Sequence, residues 1–266
     1  MSETKISLGL GDTIETLKDT KTFTEADNSI SLVIRAINAA LSPLEKWILY
    51  REYSLAETKK LLEKKLQNIS IDKIITPPSY IAVPALQAIS YCMDDEQLRD
   101  MYAELLANAM NSDCVDNVHP TYAEIIKQMS PFDAVVFKRL INMLVIPCIG
   151  ISYQNKRTKA VYPIHDIVAF ADLEQYPLVA TQISLENLER LKLIDIQHNS
   201  KYNNEEPYEQ LKHSVQNVVH KFMSDNEKEF DRNTYEVVYS EYVILIRGFG
   251  QFFARACLGV DFSYLE

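Results

Sequence analysis

Between Asp12 and Ile149 the chain has no glycine; its six glycines are Gly9, Gly11, Gly150, Gly248, Gly250 and Gly259. Glycine is the residue that takes positive φ without strain and lets a backbone lie against a phosphate. A Walker loop, a dinucleotide fingerprint and a kinase-type glycine loop are therefore excluded from the N-terminal half. Breaks between elements there must be made by proline and by capping side chains, which suits a succession of helices. With 266 residues, 47% of them hydrophobic, the chain can bury a substantial core around such helices.

Residues 1–28 are polar and read as a flexible lead-in. From Ser31, the residues Leu32, Val33, Ile37, Ala40 and Leu41 recur at helical spacing up to Ser42-Pro43, a pair that caps and opens a second helix. That helix should run to about Ile69, with Leu62, Leu66 and Ile69 on its apolar stripe and Lys59, Lys60, Lys64 and Lys65 on the other side. Thr76-Pro77-Pro78 stops it. A helix over residues 79–92 follows, its start irregular or displaced to Val83 by Pro84, and Asp94-Asp95-Glu96 opens the next, which carries Leu98, Met101, Tyr102, Leu105 and Ala109. Val118-His119-Pro120 leads into a helix over 121–129. Ser130-Pro131-Phe132-Asp133 then combines a Ser cap, a proline in the first turn and an acid three residues on, and opens a helix over 134–144.

After Gly150 the texture changes. Residues 152–158 read as a polar loop, 161–170 as a short helix and 178–191 as another. At Leu193, Ile194 and Ile196 the apolar period shifts from 3.6 to 2, so that helix should feed directly into a strand, a junction typical of a winged helix. The return strand is expected over 235–245, rich in Val, Tyr and Ile. A polar insertion, 197–234, lies between the two strands with its own helix over 208–223, and a last helix covers 249–258. The expected fold is mainly α: a helical domain over 29–129, then a winged-helix-like α+β domain over 130–260 with a small β-hairpin.

Lys and Arg number 27 against 37 Asp and Glu, a formal charge of −10, so the chain as a whole repels nucleic acid and anionic lipid. In the winged-helix reading, Gln182, Asn187 and Arg190 would face DNA, but Glu186 and Glu189 stand beside them. The four cysteines form no CxxC pair and read as reduced thiols. The N-terminus lacks the basic start and apolar run of a signal peptide, and the longest apolar run is too short and proline-interrupted to span a bilayer. A cytoplasmic protein is expected. No cofactor motif, metal motif or catalytic set emerges, and an enzyme is the less favoured reading. His119 with Glu124, Asp113 and Asp116 lacks a metal-site spacing, and a turn that caps a helix explains the same residues. His213 and His220 are two helical turns apart, about 10 Å, too far to share one ion unaided. Asn108 sits among apolar residues, where helix packing is the simpler use of its amide.

Three blocks carry a family resemblance. They are Ile74-Ile75-Thr-Pro-Pro-Ser-Tyr-Ile-Ala-Val-Pro-Ala-Leu-Gln-Ala, Asp95-Glu-Gln-Leu-Arg-Asp-Met-Tyr-Ala-Glu-Leu-Leu-Ala-Asn-Ala-Met110, and Val118-His-Pro120 with Glu124-Ile-Ile-Lys-Gln-Met-Ser-Pro131. In order and spacing they resemble the Abi-alpha family of bacterial proteins, whose name refers to abortive infection. The ending Arg247-Gly-Phe-Gly-Gln-Phe-Phe-Ala-Arg-Ala-Cys257 is similar to the family's C-terminal turn and helix, with Ile246 and Arg247 departing from its pattern. The resemblance implies a role in defence against phage and no known catalytic activity. Pro77, Pro78, Asn108, His119, Pro120, Glu124 and Ser130 fall in or beside the matching motifs and are candidates for an interaction surface or for maintaining the fold. The expected partner is another protein or a second copy of the chain. A winged-helix DNA-binding regulator and a metal-dependent, nuclease-like enzyme stand as alternatives.

Overall fold

A computed structural model describes Arg35 and residues 52–260 apart from positions 68, 90, 91, 93, 94 and 144. The polar lead-in, the helix expected from Ser31 and the Ser42-Pro43 helix start lie outside the described residues. Over the described residues from 52 onward, the α-helices α1 (Glu52–Leu66), α2 (Ser79–Ile89), α3 (Glu96–Ala109), α4 (Thr121–Lys127) and α5 (Pro131–Leu140) come first. Then come β1 (Ile146–Asn155), β2 (Val161–Val168), α6 (Leu178–Arg190), β3 (Asp195–Gln197), α7 (Glu206–Asp225), β4 (Tyr235–Leu245) and α8 (Gly248–Leu258).

Starts in the glycine-free half are made by side chains and proline. Pro78 supplies the carbonyl that accepts from Ile81 and Ala82 in the first turn of α2, and Pro84 is carried inside that helix. The Asp95 carboxylate accepts from the Leu98 amide at 2.8 Å and caps α3. Ser130 and Asp133 form a reciprocal capping box on α5: the Asp133 amide donates to the Ser130 hydroxyl at 3.1 Å and the Ser130 amide to the Asp133 carboxylate at 2.6 Å. Ahead of α2, the segments around residues 74 and 111 pair as a short bridge, the Ile75 amide donating to the Met110 carbonyl at 2.9 Å. The apolar faces meet in one core of Leu62, Leu66, Ile81, Ala85, Met101, Tyr102, Leu105, Ile126 and Phe137 among others. Tyr102 keeps its hydroxyl satisfied there by donating to the Ala123 carbonyl at 3.1 Å.

The second half corrects the expected fold class. The chain is an α/β protein, not mainly α, because β1 to β4 form one antiparallel sheet in the order β2-β1-β4-β3. β4 does pair with β3, Ile196 opposite Ile244, but it pairs along its whole length with β1, from Ile146 opposite Ile244 to Asn155 opposite Tyr235. The anticipated wing is thus the edge of a larger sheet. Residues 161–168, expected as helix, are strand β2, and residues 152–155 of the expected polar loop belong to β1, which leaves only the turn after Asn155 to join the two strands.

Both faces of the sheet are covered. Ile146 and Cys148 of β1, with Tyr242 and Ile244 of β4, join the main core. The alternate residues Ile149, Ile151 and Tyr153 form a second cluster with Tyr208, Leu211, Val215, Val219 and Met223, one stripe of α7. The 197–234 insertion therefore lays its helix on the otherwise open face. Ion pairs fix it: the Glu241 carboxylate on β4 lies 2.6 Å from Lys212 and 3.2 Å from Lys201. The sheet edges are short or blocked. β2 carries Pro163, and the Ile196 amide of β3 donates to the Glu189 carboxylate at 3.1 Å.

Glycine is required where this sheet meets its neighbours. A Cβ on Gly150 would stand 2.7 Å from the Tyr242 hydroxyl and 3.2 Å from the Asp166 carbonyl. A Cβ on Gly250 would run into the Leu193 carbonyl oxygen, with the carbonyl carbon 2.9 Å away, so α8 can sit against the α6–β3 junction only without a side chain there.

Candidate functional site

The seven residues singled out from the sequence separate into two groups. Pro77 is buried and Pro78 half-buried at the start of α2. Asn108 is a tie between helices: its amide donates to the Ala256 carbonyl of α8 at 3.0 Å and to its own helix at the Glu104 carbonyl at 3.2 Å. Ala256 lies in the last turn of α8, where carbonyls have no partner within the helix, so Asn108 closes that helix end from outside. Ser130 serves the capping box.

That capping box extends into a polar hub. The buried Asp133 carboxylate also accepts from the Asn187 amide at 2.9 Å, and the same amide donates to the Gln128 carbonyl at 3.0 Å. Arg190 donates to the Asn187 side-chain oxygen at 2.8 and 3.0 Å and to the Gln128 side chain at 3.0 Å. Gln182 contacts the His165 ring nitrogen at 3.0 Å and donates to Glu186 at 2.9 Å. The three side chains that a recognition helix would turn toward base edges are therefore engaged within the chain.

His119, Pro120 and Glu124 form the second group, all exposed around the start of α4. The His119 Nδ1 accepts from the Thr121 amide at 3.2 Å, and Glu124 lies 3.8 Å from Lys127. Among the described residues no group of three or more His, Cys, Asp or Glu is placed to hold a metal ion. What His119 does join is an aromatic chain. Its ring is 5.9 Å from that of Tyr122, which meets Phe249 edge-on at 5.7 Å and Phe253 at 5.4 Å, and Phe253 continues to Phe137 at 5.7 Å. Burial pushes the Tyr122 phenol up to about 12, so it stays protonated at any physiological pH.

The outer end of this chain is open. Phe249 is 39% exposed and Phe252 50%, while Gly250, Phe253, Ala254, Ala256 and Cys257 of the same helix are buried. At about 100° per residue, the apolar positions of α8 spread over roughly 240° of its circumference, more than one buried face needs, and Phe252 lies at one edge of that arc. The excess width is the signal in the sequence for Phe252 as a surface group; Phe249 falls inside the arc, in the first turn, and its exposure has no such signal.

One lysine of the basic side of α1 is engaged within the chain, while Lys60 and Lys64 are exposed. The Lys65 ammonium lies 2.8 Å from both Asp100 and Glu104 of α3. Burial opposes its charge, but hydrogen bonds to those two carboxylates outweigh burial and raise its pKa. No helix among the described residues is long and apolar enough to cross a membrane.

The fold and these contacts define an α/β protein whose motif residues start helices, tie helix ends and border an open aromatic face. Residues 50–257 match the family described as abortive infection alpha, and the chain belongs to that family. The match runs from α1 through α8, taking in the sheet as well as the helical half. No curated protein and no solved structure matches the chain.

Proposed function

We propose that the protein acts in abortive infection, limiting phage replication in the cytoplasm through protein contacts, and that the outer face of α8 makes those contacts. The observation that carries the reading is the pair Phe249 and Phe252, both exposed on α8, with Phe249 packed edge-on against Tyr122 at the outer end of an aromatic chain whose members Tyr122, Phe253 and Phe137 are buried. Aromatic side chains with a rigid, packed base are the groups that dominate binding energy at protein interfaces. In this reading His119 and Pro120 border the contact face. Pro77, Pro78, Asn108 and Ser130 hold the fold that presents it, and Glu124 adds charge at the rim. The partner is a second copy of the chain or a component of the infected cell, and the mass of the purified protein by light scattering separates the two.

DNA recognition is the weaker reading, because Gln182, Asn187 and Arg190 are held by internal hydrogen bonds and the net charge is −10. The test of the main reading is phage yield in a host population expressing the chain. Lower yield for at least one class of phage is expected, and unchanged plaque counts across a broad panel would contradict it.

A further inference from the structure

A cleft apart from the contact face lies where the end of α5, the start of β1, the segment after β2 and the start of α7 come together. It has a volume of about 640 Å³, within the range of roughly 300–1,000 Å³ typical of small-molecule sites. The end of α5 contributes Arg139 and the start of β1 contributes Pro147. The segment after β2 contributes Phe170, Asp172, Gln175 and Tyr176, and the first turns of α7 contribute Gln210 and Leu211.

Its chemistry is mixed in an ordered way. Phe170 and Tyr176 are buried to within a few per cent and pack on one another with centroids 4.3 Å apart and planes tilted by 36°, giving the wall a rigid aromatic base of which a small part reaches the cleft. The turn that carries them is fixed from within: the Asp172 carboxylate accepts from the Gln175 amide at 3.2 Å, and the Asp172 carbonyl accepts from the Tyr176 amide at 2.9 Å. Asp172 is thereby committed to the turn. Arg139, by contrast, is exposed at the cleft, and among the described residues no hydrogen bond or ion pair engages it. A planar guanidinium of this kind pairs a carboxylate or phosphate in two-pronged fashion.

From an aromatic wall, one uncommitted guanidinium and two glutamine side chains at the mouth, we infer that this cleft binds a small planar anion, an aromatic or heteroaromatic ring bearing a phosphate or a carboxylate. The ring lies against Phe170 and Tyr176, the anionic group pairs with Arg139, and Gln175 and Gln210 meet polar atoms on the ring edge. The site is independent of the α8 face, so the two proposals stand or fall separately. A bound ligand would touch α5 and α7 at once and so tie the insertion to the rest of the chain.

Calorimetric titration with adenosine 5′-monophosphate and, separately, with anthranilate tests this and distinguishes the two sources of the anion. Saturable binding of one or both is expected, with at least a ten-fold loss in the Arg139→Ala variant, a smaller loss in Gln210→Ala and none in Arg157→Ala, which changes an exposed arginine in the β1–β2 turn. The uncharged counterparts, adenosine and 2-aminobenzamide, should bind at least ten-fold more weakly. A melting curve for Arg139→Ala that matches the unchanged protein shows that the loss is not unfolding. Absence of binding by both probes at millimolar concentration, equal binding of charged and uncharged forms, or affinity unchanged in Arg139→Ala would each overturn the assignment.

Discussion

Gly250 shows how one residue type answers to one contact. Its backbone lies against the Leu193 carbonyl, which has no room to retreat because the Leu193 amide is itself bonded to the Leu188 carbonyl at 3.0 Å. Adding a methyl group there forces two backbones apart, at or above the upper end of ordinary overpacking. Gly250→Ala should cost about 3 kcal/mol or more in chemical denaturation, and a loss below about 1 kcal/mol would show that α8 can shift freely. Lys192 is the opposite case, a side chain where glycine would do better. It takes φ +62° as the residue after the cap of α6, with the amides of Lys192 and Leu193 donating back to the carbonyls of Glu189 and Leu188. Lys192→Gly should stabilise the protein by about 0.5 kcal/mol, relief of the left-handed backbone exceeding the added flexibility of the unfolded chain. A lower melting temperature for that variant would mean that the Lys192 side chain contributes more than its backbone strains. The polar residues were the least legible in advance: nothing local in the sequence says that Asn187 reaches Asp133, 54 residues away.

At the scale of elements, what was legible follows from how many faces each element buries. α5 and α7 each bury one stripe, and their apolar spacing marks them out. β1 buries both faces, so Ile146-Pro-Cys-Ile-Gly-Ile151 is a continuous apolar run without the alternation that announces a strand. β2 is an edge strand buried only toward its end, at Ile167 and Val168, and its sparse apolar residues fit a helical period as readily as an extended one. Pro163 was the clue against helix there. The same scale sets a pH dependence. Glu241, which anchors α7 to β4, has its pKa lowered by hydrogen bonding to Lys212 and then Lys201, against some opposition from burial. A carboxylate with a depressed folded pKa stabilises above its unfolded value of about 4.3, and the contribution is lost as pH falls through the lower folded value. Stability of the unchanged protein should therefore decline below about pH 4 partly through this group, and Glu241→Gln should be less stable at pH 7 with a flatter acid limb. Parallel acid limbs for the two proteins would remove Glu241 from the account.

The whole molecule is organised around a sheet covered on both sides, with helices of the glycine-free half on one face and the insertion helix on the other. The family was legible from short motifs because those motifs are helix starts and helix ties, fixed locally. Its aromatic face was not, because it is assembled from α4 and α8, more than a hundred residues apart, and becomes visible only when Tyr122 and Phe249 are seen in contact. Acidic charge, an α/β core and exposed Phe249 and Phe252 together support action by protein contact within the abortive infection alpha family. The most direct test compares phage yield in cells expressing the unchanged chain with yield in cells expressing Phe249→Ser with Phe252→Ser, at equal soluble levels and with matching melting curves. Protection should be lost in the double variant while the fold is kept; full protection from a folded double variant would contradict a contact role for the α8 face.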